Sequence, residues 1–290
     1  MISNLFEDEV AKAERGEQYT SAFNAKRAAH VMANFDSDKT FDDENQKRKG
    51  WRKVVNKQCK NEADQYSFEI LCGDACQSDL NRFSQGGASK HQLEIIVVSI
   101  GFKRITPIDE WSKTDLENIL DYGNSLYRQN KDRKFDCKSQ EYIDYPPFQI
   151  EDREFVFTVE KLEENLKTTD LLVYLQLHFS DYHNVIISSG NYIAAVTKHT
   201  DKFYIYDPNK RTRSGLKAPA NLKKGQAVLM EFASLQVCLR HVLRNFGITT
   251  KVNANKFGVE LWRLSYTIRY KDQPNSATEF YVHPNVVDDK

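Results

Sequence analysis

Short β-prone runs separated by turn residues fill the chain from about residue 170 onward. Gly190 and the polar segment 198–201 separate three of these runs, as turns separate neighbouring strands. The pattern predicts an antiparallel sheet. The predicted strands are 171–179, 184–188, 192–197, 202–206, 227–232, 261–270 and 278–282.

Helical periodicity occurs in the middle of the chain and again near its C-terminal end. Leucine and isoleucine recur every three or four positions after Ser112, and Asp115 completes a capping pair with Ser112. We therefore predict a helix that begins near residue 113 and stops at Gly123 or Asn124. Ser234 likewise predicts the start of a helix that continues to about residue 246.

The continuous apolar run 93–100 is typical of either a buried strand or a buried helix, because periodicity alone does not separate the two. A glycine pair, Gly86-Gly87, precedes the run and favours a turn there. We interpret the segment as a helix over about 90–100, with Ser89 at its N-terminal end. We expect it to pack against the strands near 192–196 and 203–206.

These elements predict an α+β fold in which helices pack on an antiparallel sheet. Residues 1–66 differ from the rest because they are polar and helix-prone, with a break at Gly16. We therefore divide the chain into a helical N-terminal extension, 1–66, and an α+β domain, 67–290.

The composition excludes several classes of protein. Of the 290 residues, 41 are Lys or Arg and 41 are Asp or Glu, so a globally basic protein is not indicated. No apolar stretch reaches the roughly 20 residues of a membrane helix, and the acidic N-terminus lacks the apolar core of a secretory signal. The five cysteines are sparse and odd in number, which favours a reducing, intracellular compartment.

One local charge cluster lies near the N-terminal end. Trp51 sits within a basic run that follows the acidic stretch 36–44. A basic run with an aromatic residue is typical of nucleic-acid binding, but a solvated helix face balanced by the acidic stretch is the favoured interpretation. The candidate anion-binding residues are Lys47, Arg48, Lys49, Arg52 and Lys53.

Several landmarks occur in one order over residues 70–245. Gly86-Gly87-Ala88-Ser89 opens the apolar run, Trp111 precedes a predicted helix, and Asp207-Pro208-Asn209 follows a predicted strand. This order resembles the herpesvirus tegument-type ubiquitin-specific proteases and the related OTU-like cysteine peptidases of viruses and mobile elements. The resemblance implies that the α+β domain has a papain-like cysteine protease fold.

The resemblance also implies where catalytic residues would lie. In that family a Gly-x-Gln-Cys turn presents the nucleophile at a helix N-terminus, and an Asp-Pro-His or Asp-Ser-His segment supplies the histidine. Here Ala88 and Ser89 replace the Gln and the Cys, and Asn209 replaces the His, whereas Asp207 is retained. An asparagine cannot act as a general base, and a serine without a base is a weak nucleophile.

Other candidate groups have plainer interpretations. A competing register, in which Tyr19 takes the cysteine position of segment 16–21, also lacks the nucleophile. Cys72 and Cys76 are not followed by a Cys/His pair at zinc-finger spacing, so we interpret them as free thiols and expect no metal and no cofactor. Cys238 lies on an amphipathic helical pattern and is predicted to belong to the core.

Three histidines bear on whether another base replaces the missing one. His183 and His199 lie nearest to the predicted strand pair and stay open as replacements. His91 is two residues after Ser89, and positions i and i+2 of a helix do not face each other, so it is a poor partner for that serine.

The favoured hypothesis is a catalytically inactive protease-like domain that binds a protein, with ubiquitin or a ubiquitin-like protein implied by the resemblance. Residues that flank the degenerate site, Tyr206, Asn209 and Arg211, are the expected binding residues. One alternative is an active cysteine peptidase or deubiquitinase with displaced catalytic residues. Another is a nucleic-acid-associated protein that uses the basic segment 47–60. No membrane partner is expected.

Overall fold

The computed structural model describes residues 50–56, 66–83, 91–130, 142–190, 192–219, 222, 224–247, 258–270 and 279–281. Both helices and strands occur along these residues, with a short 3-10 turn at Ile108–Glu110. In chain order the elements are β1 (Arg52–Asn56), β2 (Tyr66–Cys72), α1 (Gln92–Phe102), α2 (Lys113–Asn130), β3 (Tyr142–Asp144), β4 (Phe148–Ile150), β5 (Arg153–Leu166), α3 (Thr168–Asp181), β6 (Asn184–Ser189), β7 (Tyr192–His199), β8 (Lys202–Arg211), β9 (Gln226–Phe232), α4 (Leu235–Asn245), β10 (Val259–Tyr270) and β11 (Glu279–Tyr281).

In the described part of the chain the strands form one eleven-stranded sheet, in the order β1-β2-β9-β8-β7-β6-β10-β5-β3, with β11 paired to β10 and β4 to β5. Each of these pairs is antiparallel. The predicted α+β fold with an antiparallel sheet is therefore confirmed. The confirmed strands are those predicted at 184–188, 192–197, 202–206, 227–232, 261–270 and 278–282.

The two faces of the sheet pack against different helices. Along β8, Tyr204 and Tyr206 join the core that contains α1 and α2, whereas Ile205 joins the core that contains α3 and α4. This alternation follows from the two-residue repeat of a strand. Helices cover both faces of the sheet, so residues that point to either face are apolar. The sheet is thus the middle layer of three.

Helix α1 confirms the helical interpretation of the apolar run. All but one of its residues are buried, which explains why the run shows no polar face: a helix that is apolar all round lies inside the protein. It packs between α2 and the sheet, in one core with Ala195, Tyr204 and Tyr206. The Gln92 amide also donates to the Ile193 carbonyl of β7 at 2.9 Å. The expected packing against β7 and β8 is therefore confirmed.

Helix α2 begins where its capping pair predicts but does not end at Gly123. The Ser112 N–H and hydroxyl both donate to an Asp115 carboxylate oxygen at 2.7 Å, which forms the expected cap. The helix then continues to Asn130. Gly123 is buried against α1, and a Cβ there would lie 2.5 Å from the Ile95 Cα. This glycine allows close contact between two helices and does not terminate one.

The strand predicted at 171–179 is wrong, because Thr168–Asp181 is a helix. Leu171, Leu175 and Phe179 are all buried in the core beneath the sheet. They recur every four residues, which is a helical spacing. The β-prone residue types in this segment concealed that spacing.

Part of the predicted helical extension is also strand. Residues 52–56, within the basic run, form β1 and pair with β2. The expected helix face is therefore wrong for these residues. Strand β1 precedes the proposed boundary at 66/67, yet it belongs to the sheet. The boundary itself stays a prediction, and Tyr19 lies outside the described residues.

Candidate functional site

The candidate site begins where strand β8 leaves its partner. Asp207 pairs with Val228 and Arg211 pairs with Gln226, and the register between these two pairs is irregular. Residues 208–210 therefore bulge out of the β8–β9 ladder. A bulge turns side chains away from their usual alternation, and here it presents the Asp207-Pro208-Asn209 segment to the loop that follows β2.

That loop occupies the space which the bulge opens. The Ala227 N–H of β9 donates to the Ala75 carbonyl at 2.7 Å, and the Gln77 N–H donates to the Pro208 carbonyl at 3.0 Å. These backbone contacts place Gln77 beside Asn209. The Gln77 amide nitrogen then donates to Asn209 Oδ1 at 2.7 Å, in a buried contact.

Helix α2 holds the same loop from the other side. A Glu117 oxygen accepts the backbone N–H groups of Asp74 at 2.6 Å and Ala75 at 3.2 Å. Arg82, at the far end of the loop, donates to Glu117 and pairs with Asp121 at 2.7 Å. The loop is therefore bound to α2 both before and after Gln77.

Asn209 uses both ends of its amide group. Its side-chain nitrogen donates to Asp207 Oδ1 at 2.8 Å and to the Ile193 carbonyl at 3.4 Å, while its oxygen accepts from Gln77. Its backbone N–H donates to the same Asp207 oxygen at 3.0 Å. A histidine at this position would offer a proton acceptor. Asn209 offers hydrogen bonds that the protein itself already satisfies.

Asp207 is engaged through its second oxygen as well. Arg211 Nε donates to Asp207 Oδ2 at 2.6 Å, and Arg211 Nη2 lies 2.6 Å from the same atom. Each of the two residues has only 1% of its surface exposed. The guanidinium also lies over the Tyr192 ring, 5.7 Å from its centroid. Asp207 and Arg211 thus form a buried, hydrogen-bonded ion pair.

The first turn of α1 lies against this network. Gln92 and Asn209 both donate to the carbonyl of Ile193, which places the beginning of α1 next to the end of β8. The resemblance predicted this arrangement of a helix N-terminus and a strand end. Ala88 and Ser89 themselves lie outside the described residues.

All three expected binding residues are buried. Tyr206 and Arg211 are each 1% exposed, and Asn209 is 8% exposed. The Tyr206 ring packs edge-on against Trp111 at 6.1 Å, and burial raises the pKa of its hydroxyl. Substitution of Tyr206 or Arg211 would therefore disturb packing, and the role of these residues in binding stays a prediction.

Gln77 is the site residue that the sequence interpretation missed. It follows Cys76 in an ordinary polar loop sequence, and its contact with Asn209 joins residues far apart in the chain. The available indication was its place ahead of the glycine pair, Gly86-Gly87. Nothing in the local pattern shows that the side chain is buried.

The described cysteines are buried or partly buried. Cys238 is buried in the core of α4, as predicted, and burial raises the pKa of its thiol. Burial likewise raises the pKa of Cys72, although Arg52 opposes this shift. Cys76 is buried, with its sulfur 3.3 Å from the Ser78 hydroxyl. In the described residues no cluster of three His, Cys, Asp or Glu side chains is arranged to hold a metal ion.

The histidines considered as replacement bases lie elsewhere. His199, at the end of β7, contacts Asp109 at 3.2 Å. His183 precedes β6, and burial together with nearby Lys103 lowers the pKa of its ring. His91 is fully buried and packs against Phe83 at 4.7 Å.

The basic cluster is described only in part. Arg52 donates to the Arg213 carbonyl and lies 3.2 Å from the Cys72 sulfur, which joins β1 to the loop after β8. Lys53 is exposed on the same strand. Lys47, Arg48 and Lys49 lie outside the described residues.

A buried helix that begins beside an Asp-Pro-Asn strand end, within an α+β fold, is the arrangement predicted for a domain related to viral cysteine proteases. Residues 77–288 match the family model described as the herpesvirus tegument protein, N-terminal conserved region. The match covers more than half of the chain, and the chain therefore belongs to this family.

One solved structure extends the comparison. It is the ubiquitin-specific protease encoded by a murine cytomegalovirus tegument protein, in complex with a ubiquitin-based suicide substrate. It shares 12% identity with this chain, covers 72% of this chain and 89% of its own, and has a TM-score of 0.49. No curated protein matches the sequence. In the described residues no helix is long and apolar enough to cross a membrane.

Proposed function

We propose that this protein is a catalytically inactive domain, derived from a ubiquitin-directed protease, that works by binding a protein. The observation that carries the proposal is the state of Asn209. It stands where the resemblance implies a catalytic histidine, and its amide oxygen and nitrogen are engaged by Gln77, Asp207 and the Ile193 carbonyl. An amide in this network has no basic lone pair with which to take a proton from a nucleophile.

The state of Asp207 supports the same conclusion. In a catalytic triad the carboxylate orients the base by accepting its ring N–H. Here one oxygen accepts from Asn209 and the other accepts from Arg211. The carboxylate is therefore committed to holding the bulge together. The network stabilises a scaffold that still places the loop around Gln77 at the surface of the domain.

The alternative of displaced catalysis is disfavoured by the surroundings of the described thiols. Burial of Cys238 in α4 and the raised pKa of Cys72 both oppose formation of the thiolate, which is the reactive form.

We further propose that the protein acts inside the cell and that its partner is ubiquitin or a ubiquitin-like protein. Family membership and the resemblance support this choice of partner.

The first test uses ubiquitin that carries a thiol-reactive group at its C-terminus. We expect no covalent adduct, because none of the described cysteines is paired with a base that would activate it in a protease-like site. Intact-mass spectrometry after prolonged incubation measures this directly. An adduct on Cys76, lost in Cys76→Ala while the fold is retained, would show that the enzyme is active with a displaced nucleophile.

A second test concerns the binding surface. Leu80 lies on the loop that contains Gln77 and is 60% exposed, which makes it a candidate apolar anchor. We expect Leu80→Asp to weaken ubiquitin binding by about tenfold or more, since a charge at an apolar contact is costly to desolvate. Calorimetric titration of unmodified ubiquitin into the full chain measures the effect.

Tyr142 supplies the matched control for this test. It is 57% exposed and lies on β3, at the opposite edge of the sheet from β1. Tyr142→Asp should leave ubiquitin affinity unchanged. Equal loss in both variants would place the binding surface elsewhere, and no saturable binding to the unaltered protein would remove ubiquitin as the partner.

A further inference from the structure

Positive charge is concentrated in one stretch of this electrically neutral chain. Of residues 208–259, ten are Lys or Arg and one, Glu231, is acidic. That glutamate is buried, and it accepts hydrogen bonds from Lys202 and from the Tyr204 hydroxyl. The stretch includes the loop after β8 and helix α4, so the structure shows where these basic residues come together.

Helix α4 holds the loop after β8 in a fixed position. His241 Nε2 and the Asn245 amide nitrogen both donate to the Gly215 carbonyl, at 3.0 Å and 2.9 Å. Asn245 Oδ1 also accepts the backbone N–H of Lys217 at 3.1 Å. Arg213 and Lys217, which are both exposed, therefore project from a loop that is bound to the helix.

Strand β1 and helix α4 each add a basic residue on the same side of the sheet. Arg52 lies directly opposite Ile70, which belongs to the core that contains α4, and opposite residues of a strand pair share a face. Arg52 also donates to the Arg213 carbonyl. Arg240 is half-buried and comes directly before His241 on α4. We call the four residues Arg52, Arg213, Lys217 and Arg240 the basic face.

The charges of the basic face are not neutralised by ion pairs. Within the part of the chain that the structure describes, none of its four residues pairs with a carboxylate. Lys217 Nζ lies over the Tyr192 ring, 4.7 Å from its centroid, which leaves its charge in place. Glu69 of β2 lies opposite Lys53, and alternation along the strand therefore directs it to the other side of the sheet. The face is thus suited to an anionic partner.

The absence of an apolar anchor indicates the kind of partner. Among the described residues the large apolar side chains that are exposed are Leu80, on the loop held by α2, and Tyr142, on β3. Protein interfaces depend on buried aromatic and apolar anchors, whereas the phosphate backbone of a nucleic acid is bound by Lys and Arg alone. Single strands additionally require aromatic rings on which bases stack. The basic face therefore fits a duplex better than a protein or a single strand.

We propose that the basic face binds the phosphate backbone of a double-stranded nucleic acid without selecting a base sequence. The guanidinium groups of Arg52, Arg213 and Arg240 would donate charge-assisted hydrogen bonds to phosphate oxygens. Arg211 takes no part, because it is buried and paired with Asp207. The proposal does not depend on ubiquitin binding.

A short labelled DNA duplex is the probe, titrated with the full chain and followed by fluorescence anisotropy. We expect saturable binding with equal affinity for two unrelated sequences. Each phosphate contact adds about 0.9 to the slope of log affinity against log salt concentration. Four contacts therefore predict that affinity falls by about a hundredfold between about 50 and 200 mM salt.

A double variant makes the assignment specific. Arg213→Gln combined with Lys217→Gln should weaken duplex binding by about tenfold or more at low salt and reduce the salt slope by about 2. Both side chains are exposed, so the fold should be retained. Arg128→Gln combined with Lys113→Gln is the matched control, because it removes the same charges from exposed positions of α2, on the other side of the sheet, and should leave binding unchanged.

Three results would overturn the proposal. The first is no saturable binding of the duplex at low salt, and the second is unchanged affinity in the Arg213→Gln and Lys217→Gln double variant. The third is tighter binding of polyglutamate, or of vesicles containing phosphatidylserine, than of the duplex. That result would assign the basic face to an acidic protein or to a membrane surface.

Discussion

Replacement of Arg211 by methionine should lower the free energy of unfolding by about 3–5 kcal/mol, the usual cost of breaking a buried ion pair. The guanidinium is the partner of Asp207 Oδ2, and both residues are 1% exposed. The variant therefore leaves a carboxylate in the protein interior with the hydrogen bond and the charge partner of its Oδ2 atom lost. Urea denaturation at pH 7, with the slope checked for two-state behaviour, measures the loss.

A double variant separates charge from packing. Asp207→Asn combined with Arg211→Met removes both charges, so we expect it to be more stable than Arg211→Met alone. Lys113→Met is the matched surface control, because Lys113 pairs with Asp74 at 2.5 Å while both side chains are more than half exposed. Its effect should stay below about 1 kcal/mol. If the double variant loses the sum of the two single losses, the pair is not coupled.

Elements whose signals are local were predictable from the sequence. Ser112 with Asp115, and Ser234 before α4, mark helix starts through hydrogen bonds made within one turn. The strands from β6 to β9 were predictable because turn residues such as Gly190 separate them. In these cases the residues that decide the structure lie within a few positions of one another.

Elements decided by distant contacts were not predictable in the same way. A glycine often marks the end of a helix, which is why Gly123 was predicted as a stop. Its actual role is to allow close contact with Ile95 on another helix. Thr168–Asp181 is rich in β-prone residues, yet a helix better covers the sheet face formed by Val185 and Ile187. Tertiary packing overrides local propensity in both cases.

In the candidate site, too, some residues were predictable from the sequence and others depend on distant contacts. Asp207 and Asn209 were identified from their place in an ordered set of landmarks, and the structure brings them together with α1. The roles of Gln77 and Arg211 depend on the bulge in β8, which depends in turn on the loop after β2. A bulge whose space is filled by a distant loop produces no repeating pattern in the sequence of the strand or of the loop. For the same reason the sequence did not predict that Tyr206 and Arg211 are buried.

Glu94→Gln should make the protein more stable at pH 8 by about 3 kcal/mol, with little gain at pH 4.5. Glu94 is buried in the first turn of α1, and burial raises the pKa of its carboxyl from 4.5 to about 7. The folded state therefore favours the protonated acid. Its contribution to stability is fully present below about pH 4.5 and is lost as the pH rises through 7. The difference between the two pKa values corresponds to about 3 kcal/mol.

The pH dependence of the difference between variant and unaltered protein is the quantity to measure. His241 also affects stability, because burial lowers its pKa to about 4 and its contribution is lost as the pH falls from 6.5 toward that value. Both proteins share this effect, so it cancels in the difference. Glu110→Gln, at an exposed position before Trp111, is the matched surface control. A flat difference for Glu94→Gln between pH 4.5 and 8 would show that Glu94 is ionised in the folded protein at neutral pH. A buried carboxylate of that kind would need a cationic or hydrogen-bonding partner.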